Sequence, residues 1–395
     1  MRVVDLFAGC GGMSRGFQDA GYEIVAAFEY WSVAAQCYRN NFSHPVLETD
    51  LSNTFEAIKT IKAFQPDLII GGPPCQDFSY AGKRIEAGRA SLTGAFAEIV
   101  AAIRPLYFVM ENVDRVQHSK AFAIARNIFK ENGYGLSEIV LDASRCGVPQ
   151  KRKRFFCIGV LGQPDNVVLP FIKAGVAETE TTLRDYFGAM LDFEYYYRHP
   201  RNYSRRAVFS IDEPAPTMRG VNRPVPKGYP GHTNDAFPLN DRIRALTTLE
   251  RALIQTFPAD FKWCGNKTEM EQMIGNAVPI KLAEFVARAL LEFILSKARM
   301  SNNKDSFVEW LGIAKQFSQR STSDAVSRVK RADKLCKIDG IPDSLYIYKL
   351  EQTSEFRALS TAIRSQIKRA VTLYATYLSL HDKESSISFS GETND

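Results

Sequence analysis

Val3-Val4-Asp5-Leu6-Phe7-Ala8-Gly9-Cys10-Gly11-Gly12 is the stretch whose reading decides the fold class. Val3 to Phe7 reads as a short apolar strand and Ala8 to Gly12 as a glycine-rich turn. Met13, Phe17 and Ala20 then recur at helical spacing. Residues 24–28 make a second strand, closed by Glu29 twenty positions after Gly9. Such a strand, glycine loop, helix, strand and terminal acid suit an adenosyl group. Bare backbone lets the ligand approach, and a carboxylate takes the ribose hydroxyls. The glycines run G-x-G-G, so the G-x-G-x-x-G dinucleotide fingerprint is not met.

Outward from that unit, strands and helices alternate. Residues 46–49 form a strand ending at Asp50, 55–64 a helix, and Leu68-Ile69-Ile70-Gly71 a buried strand. Tyr107-Phe108-Val109-Met110 is a further strand ending in Glu111-Asn112. Alternation of this length predicts an α/β fold, a mostly parallel Rossmann-like sheet with helices on both faces. Glu29 and Asp50 then lie at one sheet edge, with capping of the following helices as the alternative role for each. After Gly71, Gly72-Pro73-Pro74 stops the strand sharply and Cys75 follows, with Gln76-Asp77-Phe78-Ser79 behind it. The prolines fix φ and remove donors, so they aim the sulfur from the carboxyl end of a strand, where open α/β sheets bind ligands. That placement suits a nucleophile. Cys10, the other candidate, sits in the glycine loop and is read as structural.

The apolar fraction of 45% and charged fraction of 24% over 395 residues are those of a globular protein. No apolar run is long enough to span a membrane, and the chain enters a strand at once, leaving no room for a signal peptide. Seven cysteines without a C-x-x-C pair fit neither a disulfide framework nor a zinc site. Reduced thiols, a cytoplasmic location and no metal are expected. The net charge is only +6, yet residues 195–230 carry seven basic residues against Asp212 and Glu213, interleaved with Tyr195, Tyr196, Tyr197 and Tyr203. With Lys151 to Arg154 just upstream, this reads as a phosphate-binding footprint.

Together these residues resemble the DNA (cytosine-5) methyltransferases of prokaryotic restriction-modification type. Asp5 to Gly12 is similar to the family's cofactor loop, Gly72 to Ser79 to its nucleophile motif, and Glu111-Asn112-Val113 to its acid motif. Gln150-Lys151-Arg152-Lys153-Arg154 matches Gln-x-Arg-x-Arg, and Arg244-Ala245-Leu246-Thr247 and Ile274-Gly275-Asn276-Ala277-Val278-Pro279 match the two closing motifs. The resemblance runs from residue 1 to about 295. It implies that Cys75 is the nucleophile, Glu111 the group that hydrogen-bonds the cytosine ring nitrogen, Arg154 the holder of the exocyclic oxygen, and Arg152 a brace for Glu111 or a sharer of that role. It implies S-adenosylmethionine as cofactor, S-adenosylhomocysteine as product, and duplex DNA as partner. Phe7, Ala8, Gly9, Gly11 and Gly12 would form the cofactor loop. Glu29 would bind the ribose and Asp50 the adenine amino group, with Tyr30, Leu51 and Pro73 beside them. Asn276 and Val278 would return from the far end to complete the pocket.

The segment 76–94, with Lys83 and Arg84, suits a loop that closes over a flipped nucleotide, and Gln76 and Ser79 would contact DNA. Arg219, Asn222 and Arg223 are expected base readers or phosphate holders. The division expected is 1–165 for the catalytic and cofactor domain, 166–240 for a small irregular target-recognition region of short strands, and 241–298 for the closing motifs and a helix, 281–295, packing back. The remainder, 299–395, is a helical extension of unassigned role. Helices are read at 307–311, 325–331 and 363–380, with 385–395 unstructured. Fourteen basic and twelve acidic residues in 301–395 make that extension a poor source of nonspecific DNA affinity. A monomer paired functionally with a restriction endonuclease is expected. The alternatives are an RNA cytosine methyltransferase, a nucleotide-cofactor oxidoreductase, which the glycine pattern disfavours, and a non-enzymatic DNA-binding protein, which retention of Cys75, Glu111 and both arginines disfavours.

Overall fold

A computed structural model describes residues 1–74, 92–202, 204–313, 315 and 317–387, with side chains except at 298–306, 309, 313 and 379–387. Cys75, Gln76, Ser79, Lys83, Arg84 and Tyr203 lie outside the described residues.

The chain forms two compact units, Met1–Phe293 and Ile294–Asp395. The first is built on a seven-stranded sheet of β1 (Arg2–Leu6), β2 (Glu23–Glu29), β3 (Val46–Glu48), β4 (Leu68–Gly71), β5 (Tyr107–Val113), β6 (Tyr134–Asp142) and β8 (Lys153–Leu161), in the order β3-β2-β1-β4-β5-β8-β6. The five strands β1 to β5 are parallel, and β8 runs antiparallel to both of its neighbours. Chain order reverses between β1 and β4, which opens the crevice expected at the carboxyl ends of such strands. The helices α1 (Gly12–Asp19), α2 (Ser32–Arg39), α3 (Thr54–Lys62), α4 (Leu92–Ile103) and α5 (Lys120–Glu131) connect the strands. Val4, Leu6, Ile69, Phe96, Phe108 and Phe129 are among the buried residues of the core between them. Near-continuous apolar strands such as Leu68–Gly71 are what burial on both faces requires.

Two sequence expectations shift at the strand ends. β5 continues to Val113, so Glu111 and Asn112 stand within the strand, not beyond it, because β8 supplies ladder partners that far. α4 begins at Leu92, so the expected loop 76–94 is helical in its last residues.

Beyond the short β7 (Gln150–Lys151), the expected recognition region holds β9 (Tyr195–Tyr197) and β10 (Val208–Ser210) as an antiparallel pair, and β11 (Ala215–Pro216), which pairs with β7. It also holds two helices that its composition did not announce, α6 (Leu169–Gly175) and α7 (Leu183–Phe187). Pro170 in the first turn of one and a Thr182–Asp185 capping box on the other start them. α8 (Thr248–Ile254), α9 (Lys267–Asn276) and α10 (Ile280–Ile313) follow. Gly16 is what lets α1 and α10 meet: a Cβ there would lie 2.5 Å from the Ala283 Cβ.

The second unit has its own core, in which Phe307, Leu311, Val329, Ile367, Val371 and Tyr374 are buried. Its helices are α11 (Gln319–Leu335), α12 (Ser344–Gln352), α13 (Ser354–Arg357) and α14 (Thr361–Ile387). The helix expected over 363–380 thus extends through residues 385–387, against the expectation of an unstructured 385–395; 388–395 lie outside the described residues.

Candidate active site

At the crevice between β1 and β4 lies a cavity of about 690 Å³. One side is the glycine loop. Phe7 has φ 58°, a left-handed conformation uncommon for a side-chain-bearing residue, and Gly9 and Gly11 follow at φ 57° and 97°. Gly9 has open space where its Cβ would be, and it faces the cavity. A Cβ on Gly12 would lie 2.3 Å from the Val278 carbonyl oxygen, so the bare Cα here admits the returning chain end.

Glu29 terminates β2 and accepts hydrogen bonds from the amides of Gly9 and Trp31, each at 2.7 Å. Asp50 accepts from the Ser52 amide at 2.9 Å. The N-cap residues of α2 and α3 are Trp31 and Asn53, so neither acid is the helix cap. Phe7, Ala8, Gly9 and Gly12 line this cavity with Glu29, Tyr30, Asp50 and Leu51. So do Pro73, Asn276 and Val278. Gly11 does not: its Cβ position meets the rings of Phe42 and Tyr38, so its bareness serves packing behind the loop and not the cavity. Thr49, Ser52 and Met273 also line the wall and were not singled out from sequence. Cys10 reaches the wall, but it is buried and burial pushes its thiol well above the ordinary range, as befits a structural cysteine.

The opposite side carries Glu111 and Arg154. Glu111 pairs with Phe156 across the β5–β8 ladder, and Arg154, two residues before Phe156, stands on the same face as its diagonal neighbour. The Arg154 Nε lies 2.8 Å from Glu111 Oε1. Burial raises the Glu111 carboxyl above its usual range, opposed by Arg154 and then Arg152. Asn112 donates from Nδ2 to the Pro73 carbonyl at 2.8 Å, and its Oδ1 accepts from the Val113 amide. A Cβ on Gly72 would lie 3.0 Å from Glu111 Oε2. The turn that leads to Cys75 is therefore fixed against the acid strand; Cys75 itself lies outside the described residues.

Arg152 is placed differently from the expectation that it braces Glu111 or shares the work of Arg154. It falls between β7 and β8, is 1% exposed, and donates to the carbonyls of Met218, Gly275 and Ala277 at 3.0, 2.8 and 3.0 Å. Burial drives its guanidinium well below the ordinary range, and Glu111 reaches it only through a longer-range field. Beside it, Gln150 donates to Gln255 and accepts from the Met218 amide, both at 2.8 Å. This polar seam joins the recognition region and the closing motif to the core, and Arg152 is its centre.

The recognition region is corrected in two respects. Tyr196 and Tyr197 are buried core residues and Tyr195 stacks on Phe237, so these rings do not interleave with exposed cations. Asn222 donates to the Leu246 carbonyl and to Glu271, so its amide is engaged inside the protein, not presented to a base edge. Arg206 pairs with Glu213, and Arg198 donates to the Thr217 carbonyl. Arg219 donates to the His199 carbonyl while facing the like charges of Arg201 and Arg223, the latter two being exposed.

The model of the C-5 cytosine-specific DNA methylases matches residues 1–292. The chain belongs to that family. The enzyme is 55% identical over 295 residues to the Type II methyltransferase M.HindV of Haemophilus influenzae, covering 74% of this chain and 97% of the relative. It is 54% identical over 301 residues to M.HgiDI of Herpetosiphon aurantiacus, covering 76% and 97%. Among solved structures, the S. pombe Dnmt2 methyltransferase has the same fold, with TM-score 0.57 and 22% identity over 74% of this chain and 99% of that one. It is thus a DNA (cytosine-5) methyltransferase, and its second unit lies beyond the family match.

Proposed function

We propose that the enzyme methylates carbon 5 of a cytosine flipped out of duplex DNA, with S-adenosylmethionine as donor, as the modification partner of a type II restriction endonuclease in the cytoplasm. The observation that carries this reading is one cavity with a glycine loop, Glu29 and Asp50 at one wall and the Glu111–Arg154 pair at the other, at the end of the turn that precedes Cys75. The wall of Phe7, Glu29, Tyr30 and Asp50 suits an adenosyl group: aromatic surface, an acid for ribose hydroxyls and an acceptor for an amine. When bound there, S-adenosylmethionine supplies the electrophilic methyl of a sulfonium.

Cys75 adds as thiolate to ring carbon 6, which makes carbon 5 nucleophilic and divides one hard step into two easier ones. Glu111, kept toward its protonated form by burial, donates to ring nitrogen 3 as electron density arrives there. Arg154 holds the exocyclic oxygen and orients Glu111. After methylation, loss of the carbon-5 proton expels the Cys75 thiolate. Base extrusion is needed because the reacting atoms are hidden in the stack. Gln76, Ser79, Lys83 and Arg84 would contact DNA from the segment 76–94, and Arg219 and Arg223 would hold it from 166–240.

Duplex DNA carrying 5-fluorocytosine at the target should trap a covalent adduct, since fluorine cannot leave as a proton does. Cys75→Ser should form none and should show no methyl transfer, whereas Cys10→Ala should still be trapped. An adduct on Cys75→Ser, or none with wild type on any duplex, would overturn the assignment. Sequencing methylated cytosines in DNA from expressing cells identifies the target.

A further inference from the structure

The second unit is close to charge balance, but its charge is segregated. On α11 the buried residues Thr322, Ala325, Val329 and Ala332 recur every three or four positions and face the core. Along the opposite side, at the same spacing, stand Arg320, Ser323, Ser327, Lys330, Arg331 and Lys334, every one exposed. Among the described residues these four cations make no ion pair. Three other cations of this unit do: Arg328 with Asp324, Lys337 with Asp333, Lys368 with Glu351. The two acids of the helix, Asp324 and Asp333, are thus already engaged.

Helix stability does not account for the arrangement. A cation in the last turn, such as Lys334, is favoured by the macrodipole, but Arg320 in the first turn opposes it. The stripe runs over fifteen residues, 320 to 334, so its ends are about 21 Å apart at 1.5 Å rise per residue. That length matches roughly six phosphates of one DNA strand. Apart from Asp324, which is held by Arg328, the face consists of cations joined by small hydroxyl donors with no aromatic, a composition that holds phosphate oxygens and reads no base.

We propose that this face of α11 binds the phosphate backbone of duplex DNA, making the second unit a sequence-independent DNA-binding module attached to the methylase. The partner follows from charge complementarity and from the substrate on which the family acts; the proposal does not depend on the roles assigned to Cys75 or Glu111.

The test uses the full chain and a non-target DNA duplex, with affinity followed against salt by fluorescence anisotropy. Replacing Arg320, Lys330, Arg331 and Lys334 with Gln should lower the slope of log affinity against log salt by about 3–4, at roughly 0.9 per lost phosphate contact. Affinity at low salt should fall more than tenfold, and methylation of a saturating short target duplex should stay unchanged. A control variant losing Arg328, Lys337, Lys349 and Arg357 should change the slope by less than one. An unchanged slope, or an equal loss in the control, would overturn the proposal, as would a loss seen with duplex RNA but not with DNA. Should the quadruple variant melt early, Lys330→Gln and Arg331→Gln singly should each lower the slope by about 0.9.

Discussion

The two units of this chain divide the work of a sequence differently. In Met1–Phe293, residues that break the local pattern are the ones that gather at the cavity: a positive-φ Phe7 after an apolar strand, Glu29 at the end of another, Glu111 inside a third. In Ile294–Asp395, buried positions follow helical periodicity and the remaining information is on the solvent side of α11. A parallel sheet collects residues from distant parts of the chain at one edge, so departures from pattern accumulate there. A helical unit spends its pattern on its own core.

The contrast is broken most directly at Glu111. Glu111→Gln should cut kcat by about 10²–10⁴-fold, the usual contribution of a positioned acid–base group, with cofactor affinity within about threefold of wild type. Calorimetric binding and single-turnover methylation separate the two. Collapse of cofactor affinity instead would move Glu111 to the other wall. A loss of this size from any α11 substitution would show that the units do not divide the work in this way.

Arg152 and Arg154 sharpen it next, being two residues apart with different surroundings. Arg152→Ala leaves three carbonyls and a buried seam without their donor, and should cost about 3–5 kcal/mol. That corresponds to a fall in Tm on the order of 10 °C for a unit of this size. Arg154→Ala, beside the cavity, should lower kcat with a smaller change in Tm. Equal melting temperatures for the two variants would sink the distinction.

This pair also marks where the sequence was legible. Strand–loop–helix alternation, the acids at strand ends and the closing motif could be read because each breaks periodicity at a recurrent place. Motif membership put Arg152 beside Glu111; the fold turned it toward Met218 and the closing loop, since one residue between β7 and β8 decides which way the side chain faces. Gly11 likewise has a packing reason for its bareness that the motif did not carry: a Cβ there would meet the ring of Phe42. Asn222 carried no local signal, because its partners, Leu246 and Glu271, are distant in sequence. Met273 reaches the cavity only through the return of α9, a tertiary event that no local pattern encodes.

A smaller effect is expected at Glu29. Both of its oxygens accept backbone amides, so Glu29→Gln sets an NH₂ against an N–H and should disturb the glycine loop as well as the ribose wall. S-adenosylmethionine affinity should fall about 10–100-fold, the cost of one or two lost polar contacts. Affinity unchanged by equilibrium dialysis would remove Glu29 from the cofactor site, and an equal fall in an α11 variant would break the comparison from the other side.

The finest prediction concerns Asp5, on the cavity wall behind the loop. Its Oδ2 accepts from the Ser14 hydroxyl at 2.6 Å, and Tyr38 donates to that hydroxyl at 2.7 Å, while Oδ1 is buried without a partner among the described residues. Burial pushes the carboxyl up to about 7, from 3.8 when exposed. Between those values the native carboxyl keeps a proton that the unfolded chain has released. The native state therefore binds more protons, and stability falls as pH rises from about 4 to 7, then levels off. The slope is at most about 1.4 kcal/mol per pH unit, or a few degrees in Tm. Asp5→Asn has no proton to lose yet keeps an oxygen for Ser14. Its Tm should therefore gain on wild type steadily between pH 5 and 7 and hold a constant difference from pH 7.5 upward. Parallel curves across the whole range would show that Asp5 is already ionised in the folded protein and that its unpartnered oxygen is satisfied in some other way.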